Sequence, residues 1–104
     1  MARLRVRPEA LGALREQAAY YRRKKLWETA ERFEDKAIAT CERLAQDPWV
    51  GLRRQSRRHG REVRIATIEG FQRHIVVYFQ DGDDVVVVDF TRATRDLARR
   101  LGLS

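Results

Sequence analysis

At 104 residues the chain can build one domain of two packed layers, with too little left over for a second core. A net charge of +7 and a pI near 10.5 favour an acidic partner, whether nucleic acid, protein or an anionic surface. One cysteine, Cys41, rules out an internal disulfide, and no apolar run is long enough to cross a bilayer. Met1-Ala2-Arg3-Leu4-Arg5 lacks the apolar core of a signal peptide, so a soluble cytoplasmic protein with no membrane partner is expected. Of the 22 basic residues only Lys24, Lys25 and Lys36 are lysines. An arginine fork grips phosphate or carboxylate at two points where lysine offers one charge, although a GC-rich genome produces the same bias.

In chain order, Arg3-Leu4-Arg5-Val6-Arg7 alternates with period two and reads as a short half-buried strand. Pro8 ends it and can open a helix. Leu11, Leu14, Ala18 and Tyr21 then share one helical face. After Arg22-Arg23-Lys24-Lys25 a second stripe, Trp27, Ala30, Phe33, Ala37, Cys41 and Leu44, runs to a stop at Asp47-Pro48. A single helix across both stripes would have nothing to bury its apolar face against, so the spacing predicts a hairpin bent near Lys24 to Trp27. Trp27 and Cys41 are expected in the helical packing.

Trp49 to Gly60 has no periodicity and reads as a loop carrying Arg53, Arg54, Arg57, Arg58 and His59. Glu62 to Ile68 resumes the alternation, Glu69-Gly70-Phe71 turns, and Arg73 to Phe79 and Val85 to Phe90 read as central strands joined by an Asp81-Gly82 turn. Thr91 is the expected cap of a short last helix in which Ala93, Leu97 and Leu101 share a face and Gly102 is the stop. The fold class is therefore α+β: a helical hairpin packed on a mostly antiparallel four-stranded sheet, with a short C-terminal helix, in a single domain 1–104.

With only Cys41, His59 and His74 as soft ligands, no metal-ligand spacing is present, and no metal or other cofactor is expected. The six glycines are scattered at turns rather than gathered in a phosphate loop. Ser56 lies among arginines without a nucleophile elbow, and Ser104 is terminal. Arginine and histidine remain. Metal-free phosphodiester cleavage needs a base, an acid and cations for the charge that builds on phosphate. His74 or His59 can serve in proton transfer, with Arg73, Arg92 and Arg95 as cations; equally, His74 can face solvent or pack on Tyr78. The run Arg53, Arg54, Arg57, Arg58, Arg61 and Arg64, opposed only by Glu62, is either a solvated surface or a binding patch.

The order of elements, the Asp47-Pro48-Trp49-Val50-Gly51 turn, the Phe71 to Tyr78 strand and the ending Arg92-Ala93-Thr94-Arg95-Asp96-Leu97 resemble the ParE/RelE superfamily of type II toxin–antitoxin toxins. The resemblance spans nearly the whole chain. Many relatives end the last strand with a His-Gly-x-Arg-Asp-like pattern; here Arg92 stands in the histidine's place while Arg95-Asp96 matches, which argues against histidine-based catalysis there. RelE-like members are ribosome-dependent mRNA endonucleases that use basic sheet residues with a tyrosine or histidine near the C-terminus, whereas ParE-like members inhibit DNA gyrase. This chain has no tyrosine or histidine after Tyr78 and has long paired helices, so it looks more like the ParE branch.

The resemblance implies a cognate acidic antitoxin in a hetero-oligomer, and DNA gyrase or the ribosome with its mRNA as target. Target contacts are then expected from Arg53, Arg54, Arg57, Arg58, Arg61, Arg64, Arg73, Arg92 and Arg95. Antitoxin contacts are expected from the exposed members of Tyr20, Tyr21, Leu26 and Trp27. For a metal-independent endoribonuclease the candidates are Arg73, His74, Tyr78, Arg92 and Arg95. A basic nucleic-acid-binding module without toxicity is the third reading.

Overall fold

A computed structural model describes residues 3–103; Met1, Ala2 and Ser104 lie outside the described residues, and with them the start of the N-terminal segment and the serine set aside as a nucleophile. The elements are β1 (Leu4–Val6), α1 (Pro8–Arg23), α2 (Trp27–Gln46), a 3₁₀ turn (Pro48–Val50), β2 (Leu52–Ser56), β3 (Arg61–Ile68), β4 (Phe71–Asp81), β5 (Asp84–Arg92) and α3 (Leu97–Leu101). The sheet order is β1-β5-β4-β3-β2, with β1 parallel to β5 and every other pair antiparallel.

The helical hairpin forms as the periodicity predicts. Pro8 fills the first turn of α1 where its missing N–H costs nothing, Glu9 faces the helix's positive end, and Arg22 and Arg23 face its negative end. Lys25 takes a left-handed φ of 60°, which breaks the helix and reverses the chain. The two helices then lay Ala10, Leu14 and Ala18 with Phe33, Ala37, Cys41 and Leu44 against one face of the sheet, where they meet Ile68, Val76, Tyr78, Val85, Val87 and Phe90. Burial pushes the Cys41 thiol up to about 12, with Glu42 adding to the effect, so it is a packing residue with no thiolate at neutral pH.

Four readings of the chain change. The expected Trp49–Gly60 loop contains β2, which pairs antiparallel with β3 from Leu52↔Ile65 to Ser56↔Arg61, so the sheet has five strands rather than four. As an edge strand, β2 exposes Leu52, Arg53, Arg54 and Gln55 alike, and no alternation marked it. Thr91 does not cap a helix; it lies inside β5, Ala93 is outside α3, and the helix begins only at Leu97. Trp27 is 63% exposed at the hairpin tip instead of packed in the core. The β4–β5 turn also sits one residue later than Asp81-Gly82: Asp81 still pairs with Asp84, and Gly82 enters the turn with φ 64°. Arg5 draws both carboxylates towards β1, at 2.8 Å from Asp81 and 3.2 Å from Asp84.

The other sheet face has its own cover. Val63, Ile75, Val77, Phe79, Val86 and Val88 are buried with Leu101, and Leu97 and Leu103 pack beside them. β4 is thus apolar on both faces over its middle. Tyr78 links this strand to the segment after α2: its hydroxyl donates to the Pro48 carbonyl at 2.8 Å and accepts from the Gly51 N–H at 2.9 Å. Gly51 has an ordinary extended backbone, and what excludes a side chain there is space, since a Cβ would come within 2.4 Å of the Tyr78 hydroxyl oxygen.

Tyr78→Phe is expected to lower the unfolding free energy by about 1–3 kcal/mol, because it strands a buried carbonyl and a buried N–H. Gly51→Ala is expected to destabilise by displacing the ring. The double variant should cost less than the sum of the two in urea unfolding, since removing the hydroxyl relieves the closest contact; strict additivity would disprove the link.

Candidate interaction surfaces

Strand alternation places His74 on the helix-facing side of β4 and its neighbour Arg73 on the opposite side. His74 is only 4% exposed, walled by Tyr21, Phe33 and Phe71, with ring centroids 4.6 Å from Phe33 and 5.9 Å from Tyr21. Its Nε2 is 2.8 Å from the Tyr21 hydroxyl, and Nδ1 has no partner. Burial, aided by Arg92 across the strand pair, lowers its pKa, so the ring is neutral near pH 7. It packs on Tyr21 rather than on Tyr78 or in solvent. Tyr78 is fully buried, and burial raises its phenol against the opposing effects of the Gly51 N–H and Arg64.

Arg92 pairs with His74 at the end of β5, and Arg95 is exposed in the turn before α3. Of the five nuclease candidates, His74, Tyr78 and Arg92 therefore share the helix-facing side, with the first two enclosed, while Arg73 lies across the sheet. They do not converge on one open point from which a phosphate could be gripped and a proton moved.

The arginine run divides by role. Arg64 donates to the carbonyls of Trp49 at 2.9 Å and Gly51 at 2.8 Å, so it fastens the 3₁₀ turn to β3. Arg61 lies 3.5 Å over the Phe79 ring and Arg7 covers the same ring at 5.5 Å. Arg58 and His59 sit in the β2–β3 turn beside Asp89, whose carboxyl burial raises and whose neighbours Arg58, His59 and Arg100 lower. Burial lowers the His59 pKa, with Asp89 opposing and Arg58 and Arg7 adding to the fall. Arg53 and Arg54 are exposed on β2, and Arg57 is exposed at the turn.

This turn is clamped to the C-terminal helix. The Ser56 hydroxyl donates to the Leu101 carbonyl at 2.6 Å, the Arg57 N–H donates to the Gly102 carbonyl at 2.9 Å, and Ser56 forms an antiparallel bridge with Leu103. Gly102 ends α3 at φ 61°, and a Cβ there would stand 2.9 Å from that of Arg57. The basic turn is thus a formed surface, held by the same contacts that keep α3 on the sheet.

The apolar surface also separates into parts. At the hairpin tip Tyr20, Leu26 and Trp27 are exposed, whereas Tyr21 turns inward to His74. An apolar groove lined by Leu4, Val6, Leu11, Ile38, Cys41 and Phe90 runs between β1 and the helices. At the other end of α2, Trp49, Val50 and Leu52 are each more than half exposed. Sequence reasoning missed these three because it took them for loop, although three large apolar residues within four positions after a helix stop were the available signal. Among the described residues no group of His, Cys, Asp and Glu is arranged to hold a metal, and no helix is long and apolar enough to cross a membrane.

The arrangement of helical hairpin, antiparallel sheet and C-terminal helix is that of a solved structure described as "Chromosomal ParDE TA system from P. aeruginosa". The two superpose with a TM-score of 0.73 over 90% of this chain and 98% of that one, at 20% sequence identity. No curated protein sequence matches the chain significantly. Residues 4–97 match the family of the ParE toxin of type II toxin-antitoxin system, parDE, and the chain belongs to that family.

Two tests follow. Gly102→Ala is expected to cost about 1–2 kcal/mol from the left-handed φ alone, and more from the clash with Arg57; an unchanged urea midpoint would refute the clamp. For pH, both histidines have folded pKa values below their unfolded value of about 6.5, so the unfolded chain binds more protons there. Their stabilising contribution is complete above that value and is lost as pH falls below it. Between pH 7.5 and 5.5 the wild type should lose stability in urea unfolding, and His74→Phe should show a shallower decline.

Proposed function

We propose that the protein is a ParE-type toxin that inhibits DNA gyrase by binding rather than by cutting nucleic acid, in the cytoplasm, and that an acidic antitoxin neutralises it. The observation that carries the choice of target is the burial of the proton-transfer candidates. His74 and Tyr78 are closed off behind the helical hairpin, while Arg73 is on the far side of the sheet. An mRNA endonuclease needs those groups at one accessible phosphate. The binding reading needs only a formed basic surface, and Arg53, Arg54, Arg57, Arg58, Arg61, Arg73, Arg92 and Arg95 supply its cations.

In this reading the antitoxin lays apolar side chains along the groove between β1 and the helices and over Tyr20, Leu26 and Trp27, while its carboxylates answer the net charge of +7. Family membership supports a toxin–antitoxin pairing, and the exposure of these side chains supports their part in it.

Purified protein is expected to inhibit gyrase supercoiling, and Arg57→Glu combined with Arg58→Glu to weaken that inhibition at least about ten-fold, as loss of two charged contacts would. Full supercoiling across a broad range of protein concentration would sink the gyrase reading. Cleaved transcripts on translating ribosomes would establish the endonuclease in its place.

A further inference from the structure

The outer edge of β2 combines three backbone features. Its position at the end of the sheet order leaves the outward backbone groups of Leu52 to Arg54 without a neighbouring strand among the described residues. The far end of that edge already accepts a strand, since Leu103 bridges Ser56 in antiparallel sense and the Arg57 N–H reaches the Gly102 carbonyl. Period two gives Arg53 the same outward orientation as Arg57. Its carbonyl accepts instead from the guanidinium of Arg54 at 2.7 Å, so an arginine side chain occupies the place of a neighbouring strand's N–H.

The flanking side chains indicate what kind of strand would fit. Trp49, Val50 and Leu52 offer apolar contact at the start of the edge. Arg53 and Arg54 project to opposite faces, and the nearest carboxylate oxygen to Arg53 is that of Glu62 at 4.0 Å, with both side chains mostly exposed. A second copy of this chain would set arginine against arginine across the new pair, which opposes self-assembly. A strand carrying carboxylates would meet a cation on each face and would draw the Arg54 guanidinium off the Arg53 carbonyl.

We propose that the β2 edge from Leu52 to Arg54 is a strand-addition site for an extended acidic segment of a partner protein, with Arg54 covering the edge until that segment arrives. The usual part of charged residues on an edge strand is to keep other strands away. Here the charge is selective: it repels basic strands and admits acidic ones. The site is separate from the hairpin tip, because α2 is 20 residues long and its ends stand about 30 Å apart. Two partner segments can therefore bind at once.

The test uses the full chain carrying Trp27→Phe, which leaves Trp49 as its one tryptophan reporter. Three capped heptapeptides serve as probes: one alternating valine and glutamate, one alternating valine and lysine, and the glutamate peptide with alternate amides N-methylated. Saturable change in Trp49 emission is expected with the first alone, and Arg54→Glu should weaken that binding about ten-fold, with an unchanged circular dichroism spectrum. Equal binding of the N-methylated peptide would reduce the effect to charge attraction and overturn strand addition. Equal binding of the lysine peptide, or no binding of the glutamate peptide, would overturn it as well. None of these outcomes depends on whether gyrase is the target, so the two readings fail separately.

Discussion

The structure depends on one constraint, that the middle of β4 is apolar on both faces. A strand in the centre of a five-stranded sheet with His74, Val76 and Tyr78 on one side and Ile75, Val77 and Phe79 on the other must be covered twice. The helical hairpin supplies one cover and is the larger. The second has only α3, five residues long, and the side chains that lean over Phe79. Burial of apolar surface at roughly 25 cal/mol per Å² makes each cover worth having, and a short helix needs additional fastening to hold its place.

That fastening explains why the basic turn has a definite shape. Ser56, Arg57 and Gly102 tie α3 to the β2–β3 turn, and the guanidinium groups of Arg7 and Arg61 both lie over the Phe79 ring. Two of the residues that carry the positive charge thus also cover an aromatic ring of the second core with their guanidinium groups. Charge and stability share the same side chains here. In the binding role proposed above, arginines already held in position would lose less freedom on meeting a partner.

The histidines illustrate how burial decides chemistry. His74 has the side chain of a general base, yet its aromatic walls keep it neutral and out of reach, and its one polar contact is the hydroxyl of Tyr21. That contact joins the end of α1 to β4 and sits below the exposed hairpin tip. His59 lies in the basic turn beside Asp89, where burial and neighbouring arginines hold its charge down. Burial, rather than residue type, thus decides what these two histidines can do in the fold.

Much of the fold could be read from residue order because its signals are local. Three- and four-residue spacing marked both helices, the need to bury two stripes called for a hairpin, and Gly82 and Gly102 announced backbone that only glycine adopts easily. The resemblance to ParE-like toxins was carried by the order of these elements more than by any one short motif. What the tertiary structure alone decided is long-range. Alternation says that Arg73 and His74 face opposite ways, but only the packing of Tyr21, Phe33 and Phe71 determines which of them is enclosed. β2 gave no alternating signal because an edge strand with both faces exposed has no side to bury, and its existence rests on pairing with β3. Periodicity depends on neighbours a few positions apart, whereas burial of a polar group and recruitment of an edge strand depend on residues far along the chain.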